Sequence, residues 1–159
     1  MFPIVSMLLA SIFMAGCDKG CPGDGRPLRN ADKVTIAQGL WGDVWFFEGD
    51  FMPICPQGHV RAVSREIVVF ELTTQVDTTP GSSQVFYSEI HKPEIARTTS
   101  DRTGFFQVEL PPGVYSVFVV ENAEYYMCFF GDDMSLASFS VNSGEVTDVL
   151  LDITYLSSW

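Results

Sequence analysis

Short β-prone segments separated by turn residues constrain the fold of this chain more than any other feature. Residues 104–110 alternate strictly, with Phe106, Val108 and Leu110 on one face. No window of helical length combines an apolar period of 3.6 residues with helix caps. Seven segments are predicted to be strands: 41–48, 65–73, 85–90, 104–110, 113–122, 136–141 and 146–155. Seven short strands with regular turns predict a single all-β sandwich.

Turn residues explain where two of these strands end. Asp101 can accept backbone N–H hydrogen bonds, and Gly104 tolerates a positive φ, so residues 100–104 predict a tight turn. Pro111-Pro112-Gly113 ends one strand and permits a reversal, because proline donates no ladder hydrogen bond. Tyr115 is expected to bury its ring while its hydroxyl reaches the backbone at a corner of the sandwich.

These segments resemble a known family. The order Gly42-Asp43-Val44, Met52-Pro53, Thr99-Ser100-Asp101 with Gly104-Phe105-Phe106, and Pro111-Pro112-Gly113-Val114-Tyr115-Ser116-Val117 is similar to the carboxypeptidase regulatory-like domain. Residues 65–67 and 86–90 resemble a subgroup found in small bacterial lipoproteins. The resemblance implies a transthyretin-like (prealbumin-like) fold, a single antiparallel Greek-key β-sandwich of about seven strands over residues 34–159.

The N-terminal segment resembles a bacterial lipoprotein signal. Residues 1–16 carry no charged side chain, and the apolar run 4–13 is too short to span a bilayer, which needs ~20 residues. Ala15 and Gly16 precede Cys17, as small residues precede the lipidated cysteine of such signals. The resemblance implies cleavage before Cys17, lipidation of Cys17, and export to the cell envelope with a lipid anchor in a membrane. The alternatives are an ordinary cleaved export signal and a folded N-terminal segment.

Residues 17–33 predict a flexible tether between this anchor and the domain. The stretch 18–27 is rich in glycine, proline and charge and has no apolar period. An acyl chain followed by a tether holds a domain close to a membrane without spanning it. We therefore divide the chain into a signal (1–16), a tether (17–33) and a β-sandwich domain (34–159).

The charge of the chain excludes one class of partner. Twenty acidic residues against nine basic ones give a net charge of −11. A chain with this balance has no basic patch to displace counterions from phosphates, so nucleic acid is not expected as a partner. Electrostatic docking on anionic lipid is disfavoured for the same reason.

The residues that carry chemistry are sparse. His59 and His91 are the two histidines, and both are expected in loops. No Gly-x-Ser-x-Gly elbow occurs, and no cluster of His, Cys and carboxylate residues has the spacing of a zinc site. Asp132-Asp133 is interpreted as a solvated acidic loop. We expect no catalytic residue, no metal and no cofactor.

The cysteines suggest one disulfide. Export places them in an oxidising compartment, where a disulfide can persist. Cys55 and Cys128 both follow predicted strands in loops that can share one end of the sandwich, so we predict a Cys55–Cys128 disulfide. Cys21 is then left free or pairs between molecules, and a Cys17–Cys21 bridge is the alternative if Cys17 is not lipidated.

The aromatic residues exceed what one core needs. If Phe106 and Val117 are buried, Phe105 and Phe118 should face outward on consecutive strands, where they can form a cross-strand pair. Such aromatics either shield a sheet face or form a docking surface. The candidate binding residues are Tyr125, Tyr126, Phe129, Phe130, Phe105 and Phe118, and the first four are expected in a loop.

The sequence therefore predicts a non-catalytic, lipid-anchored protein of the cell envelope. Its expected role is to bind or scaffold a partner protein in the envelope. The alternative is a carbohydrate- or peptide-binding module that uses loop aromatics, and a small hydrolase is a distant third.

Overall fold

The computed structural model describes residues 25–52, 57–131 and 134–159 of the 159-residue chain. Within these residues the regular structure is β, apart from two single-turn 3-10 helices at Ala31–Lys33 and Gln75–Asp77. The strands are β1 (Gly39–Asp50), β2 (His59–Ala62), β3 (Glu66–Glu71), β4 (Thr78–Pro80), β5 (Phe86–Ile90), β6 (Glu94–Thr99), β7 (Phe105–Val108), β8 (Gly113–Glu121), β9 (Glu124–Tyr126), β10 (Ser138–Val141) and β11 (Val146–Ser158).

The strands form two sheets. Sheet A is built on β1, which pairs with β11 on one side and with β7 and β2, end to end, on the other. Sheet B has the order β4-β5-β9-β8-β3-β6, and β10 pairs with the first half of β8. The strand pairs within the described residues are antiparallel except β1–β11, which is parallel. The all-β sandwich is confirmed, and the parallel pair corrects the expectation of a purely antiparallel arrangement.

The main core lies between the two sheets. Alternate residues of the central strands point inward, and all of them are buried: Leu40, Val44 and Phe46 of β1, Ile67 and Val69 of β3, Val117 and Val119 of β8, and Val149, Leu151 and Ile153 of β11. In β8 and β11 the residues that reach this core therefore follow the period of two that a strand imposes. Burying a side chain of this size stabilises a fold by roughly 1.5–3 kcal/mol, so this layer dominates the stability.

Each sheet also carries a smaller apolar cluster on its outer face. Outer cluster A, on sheet A, consists of Trp45, Phe47, Phe51 and Val60. Outer cluster B, on sheet B, consists of Val68, Phe70, Tyr87, Phe118, Met127, Leu136 and Ala137. Residues that alternation assigns to the solvent side are buried here, because chain segments outside the strands cross both outer faces.

The strand count differs from the prediction. Each of the seven predicted segments contains one observed strand, but β2, β4, β6 and β9 were not predicted. β4 has three residues and ends at Pro80, and β6 contains Glu94 and Arg97 and has no buried face. β9 follows β8 through a two-residue turn in which Asn122 and Ala123 have φ of 53° and 65°. Such a turn usually carries glycine at its second position, so alanine concealed the hairpin.

The predicted turn and corner are confirmed. The Asp101 carboxylate accepts hydrogen bonds from the backbone N–H groups of Thr103 and Phe105, at 2.7 and 3.2 Å, and Gly104 has φ of 84°. A Cβ on Gly104 would lie 2.7 Å from the Val44 carbonyl oxygen, so this position requires glycine. The Tyr115 ring is buried, and its hydroxyl donates to the Pro111 carbonyl at 2.9 Å.

The last part of the predicted tether lies against the outer face of sheet A. We call residues 29–33 the strap. Asp43, on the outer face of β1 and without exposed surface, accepts hydrogen bonds from Arg29 Nε at 2.7 Å and from Asn30 Nδ2 at 2.5 Å. The Lys33 ammonium binds the Asp101 carboxylate at 2.9 Å. The chain therefore contacts the sandwich from Arg26, whose guanidinium lies 5.3 Å from the centre of the Phe47 ring, and forms hydrogen bonds with it from Arg29 onward. The predicted domain boundary at residue 34 stays a prediction.

The N-terminal predictions fall elsewhere in the chain. The signal at 1–16, the lipidation site Cys17, and Cys21 lie outside the described residues, as does Cys55. In the part of the chain that the structure describes, no helix is long and apolar enough to cross a membrane.

Candidate binding surface

Two of the six candidate binding aromatics lie in β9 instead of a loop. Tyr126 points into the main core, is 2% exposed, and its hydroxyl accepts a hydrogen bond from the Thr154 N–H at 3.0 Å. Tyr125 is half-buried on the other face of the strand, with its ring 5.4 Å from that of Phe70. The expectation that both lie in a loop is wrong, because the Asn122-Ala123 turn returns the chain to the edge of β8.

Phe118 and Phe105 do not form the expected pair. Phe118 is fully buried in outer cluster B, 6.2 Å from Tyr125 between ring centroids. Phe105 lies on sheet A, half-buried, with Trp41 6.5 Å away and the Lys33 ammonium 5.6 Å above its ring. The two strands are consecutive in sequence but belong to different sheets, so the aromatic residues face opposite sides of the sandwich.

The remaining two candidates are exposed and adjacent. Phe129 is 37% exposed and packs edge-on against Phe139 at 5.2 Å, and Phe130 is 55% exposed. Met134, in the same β9–β10 connection, is 69% exposed. We call Phe129, Phe130 and Met134 the exposed triad. Scattered exposed apolar residues are normal, but three in one short connection make it the candidate for a local apolar surface.

Backbone hydrogen bonds fix the shape of this connection. Ala137 N donates to Phe129 O at 2.9 Å, and Gly131 N donates to Ser135 O at 2.8 Å. Leu136 N donates to Thr73 O at 2.9 Å, which attaches the connection to the end of β3. Leu136 itself is buried in outer cluster B. The exposed rings therefore project from a chain held on both sides.

A cleft opens beside Phe130. Its volume is about 670 Å³, within the ~300–1,000 Å³ typical of small-molecule pockets. Phe130 forms one side, the β4–β5 hairpin forms the other, and Phe86 and Tyr87 lie at its base; the remaining lining residues are Gln75, Thr78, Pro80, Gly81, Ser83, Gln84 and Val85. The lining residues among those that the structure describes are uncharged.

The hairpin side of the cleft is held by one carboxylate. Glu124 of β9 accepts a hydrogen bond from the Ser82 backbone N–H at 2.8 Å and one from its hydroxyl at 2.5 Å. Gly81 N donates to Phe86 O at 2.8 Å, and a Cβ on Gly81 would lie 2.5 Å from Glu124 Oε1. The turn 80–83 is therefore fixed to the sheet, and both oxygens of the Glu124 carboxylate are engaged by Ser82.

Sequence reasoning missed this cleft because it missed β4. The segment Pro80-Gly81-Ser82-Ser83 carries a strong turn signal next to the predicted strand 85–90. A hairpin could have been predicted from that signal, although no sequence pattern indicates that Phe130 closes the opposite side.

The described residues with reactive side chains are dispersed. His59 begins β2 in sheet A, which corrects its expected loop position, and His91 follows β5, with Nε2 2.9 Å from Thr79 Oγ1. Across residues 25–52, 57–131 and 134–159, no three His, Cys, Asp or Glu side chains are grouped as a metal site requires.

The structure does not show the predicted Cys55–Cys128 disulfide. The Cys128 thiol is free and packs against the main core, and Cys55 lies outside the described residues. Burial raises the pKa of this thiol well above its usual range, and the nearby Asp152 and Glu121 carboxylates raise it further. A thiol with a raised pKa is a poor nucleophile at neutral pH.

Comparisons with protein-family models, curated proteins and solved structures found no match to this chain. The structural class of the protein therefore rests on its all-β fold of two sheets, and any functional proposal rests on the surfaces described above.

Proposed function

We propose that the protein is a non-catalytic binding module of the cell envelope, attached to a membrane through a lipid on Cys17. The partner would bind the surface formed by the exposed triad. One observation supports this proposal most. The strap lies on the outer face of sheet A, whereas the exposed triad belongs to a connection that crosses the outer face of sheet B. An anchored chain would approach one side of the sandwich and leave the opposite side accessible.

The strap also limits how far the domain can move from its anchor. Residues 17–29 span at most roughly 47 Å when fully extended, because each residue adds at most about 3.6 Å. A lipid on Cys17 would hold the sandwich close to the membrane. A typical protein partner covers about 10% of the surface of a small domain, and the partner would cover this area on the sheet B side.

Within this proposal the sandwich is of the carboxypeptidase regulatory-like type, with a transthyretin-like fold. The two segments that carry most of the resemblance, residues 99–106 and 111–117, form a fixed turn and a corner in the structure. Both have folding roles, so they support the class of fold and leave the partner open. In carboxypeptidases this module accompanies a catalytic domain, and here the partner would be a separate chain.

The anchor is tested by the intact mass of the protein from its native membrane fraction, compared with a Cys17→Ser variant. The proposal expects a mature chain that begins at Cys17 and carries added acyl mass. The variant should lose that mass and leave the membrane fraction. A full-length, unacylated chain in the membrane fraction would overturn the lipid anchor.

The binding surface is tested by placing a photo-crosslinking amino acid at Met134 in cells that make the full chain. Met134 is exposed and packs in none of the apolar clusters, so the replacement should not disturb the fold. Glu48, exposed near the end of β1 in sheet A, is the control position. A partner crosslinked from residue 134 and not from residue 48 supports the proposal, and equal yields from both positions contradict it.

A further inference from the structure

We infer that the cleft between Phe130 and the β4–β5 hairpin binds a short, neutral oligosaccharide. This inference rests on the proposed binding function and names a ligand class for the same side of the molecule.

No charged residue lines the part of the cleft that the structure describes. Asp132 and Asp133, two and three residues after Phe130, lie outside the described residues. Asp77 pairs with Lys92 at 3.5 Å, and Glu124 binds Ser82. A phosphate or carboxylate against this lining would lose its hydration without gaining an opposite charge, and burying an unpaired charge is costly. The described lining therefore favours an uncharged ligand.

The polar groups of the cleft match sugar hydroxyls. Gln75, Gln84 and Ser83 are exposed at its rim, and Thr78 lies beside them with its hydroxyl donating to Gln75 O at 2.8 Å. Amides and hydroxyls both donate and accept hydrogen bonds, as sugar hydroxyls do. A ligand with many hydroxyl groups can therefore satisfy these side chains in several ways.

Phe130 supplies the apolar side of the same site. Its ring is 55% exposed, and its backbone pairs with Leu136 in an isolated bridge, which fixes the main chain from which the ring extends. Tyr87 lies at the base with 3% exposure, and its hydroxyl is directed at the Met127 sulfur at 3.9 Å. An exposed aromatic ring of this kind can cover the apolar C–H face of a sugar.

The adjoining edge of sheet B disfavours an extended peptide. A peptide that adds a strand needs free N–H and C=O groups along the edge. The edge strand β4 has only three residues, and Pro80 has no N–H. The Ser88 hydroxyl already donates to the carbonyl oxygens of Thr79 and Pro80, at 3.4 and 3.2 Å. The edge beside the cleft therefore offers little for strand addition.

The test is a titration of the full-length protein with cellohexaose, maltohexaose and chitohexaose, followed by amide chemical shifts or calorimetry. We expect at least one of them to bind with a dissociation constant between roughly 10 µM and 1 mM. Phe130→Ala should weaken that binding by about tenfold or more, and Gln84→Ala by a smaller factor. Leu156→Ala is the control, because Leu156 is an exposed apolar residue of β11 in sheet A, lies outside the exposed triad and does not line the cleft.

Three results would overturn the inference. The first is no binding of any of these sugars at about 10 mM. The second is binding that Phe130→Ala leaves unchanged while its melting temperature equals that of the native chain. The third is preferential binding of polygalacturonate oligomers or of a peptide. If a partner still crosslinks from residue 134, the proposed binding function stands and only the sugar ligand is lost.

Discussion

The strap predicts that two carboxylates that bind one guanidinium contribute very unequally to stability. Arg29 Nε donates to Asp43 at 2.7 Å, and Arg29 Nη2 forms an ion pair with Asp148. The Asp43 side chain has no exposed surface, whereas that of Asp148 is 54% exposed. Because water and salt screen an exposed ion pair, we expect Asp43 to dominate.

The size of the effect follows from the hydrogen bonds at Asp43. The two Asp43 carboxylate oxygens accept hydrogen bonds from Arg29 Nε, from Asn30 Nδ2 at 2.5 Å and from Asn30 N at 3.3 Å. All three of these partners are donors. Asp43→Asn keeps the shape but places an NH₂ group among donors. Hydrogen bonds to charged groups contribute ~1.5–3 kcal/mol, and an unsatisfied buried donor costs ~1–3 kcal/mol. We expect Asp43→Asn to lower the free energy of unfolding by about 2–4 kcal/mol.

The control is Asp148→Asn, for which we expect a loss below about 1 kcal/mol. Urea denaturation followed by tryptophan fluorescence measures both, since Trp41 and Trp45 lie on the same face as the strap. Hydrogen exchange should also rise at residues 29–35 in Asp43→Asn more than in β8. Equal losses for the two variants, or a loss under about 0.5 kcal/mol for Asp43→Asn, would refute the argument.

Three further predictions test other parts of the structure. Phe118→Ala should lose about 3–5 kcal/mol of unfolding free energy in the same denaturation assay, because Phe118 is fully buried; a loss under about 1 kcal/mol would mean that it faces solvent. Burial opposes ionisation of Asp101, but hydrogen bonds from Lys33 and Thr103 outweigh it and lower its pKa to about 2. Its stabilising contribution is therefore present above about pH 4 and lost as pH falls toward 2, and Lys33→Met should raise this pKa in an NMR titration; an unchanged value would contradict the contact. Cys128 should react slowly with iodoacetamide at pH 8 when the protein is folded and reduced, and rapidly in urea; fast reaction in the folded state would show that the thiol is accessible.

Local sequence signals predicted the parts of the fold that local interactions determine. The alternation in β7 and β8 and the turn at residues 100–104 were correct, because side-chain period and turn chemistry act over a few residues. The position of Tyr115 at a corner followed from three preceding turn residues. Each of these features requires only neighbours in sequence.

Strands that lack an apolar face were missed, because they depend on pairing with a neighbouring strand. β6 pairs with β3 through five residue pairs, yet on its exposed surface Arg97 forms ion pairs with Glu94 and Glu66. Its sequence shows no apolar period, since it is an edge strand supported by backbone hydrogen bonds. β4 is an edge strand as well, and proline is tolerated there. Edge strands depend on their neighbour, which a single sequence does not reveal.

The aromatic residues of the candidate site differ in exposure for a reason that alternation within a strand does not contain. Alternation assigned Phe118 to the face opposite Val117, and it does lie there, but Met127, Leu136 and Ala137 cover that face. Periodicity determines the side on which a residue lies, and only the path of the remaining chain determines whether that side is exposed. The same connection that buries Phe118 also projects Phe129 and Phe130. The connection that covers Phe118 is therefore the one that exposes Phe129 and Phe130. A test of the site must compare variants of the buried aromatic residue with variants of the exposed ones. If Phe130→Ala changes ligand binding without changing stability, and Phe118→Ala does the reverse, the division between binding surface and support is established.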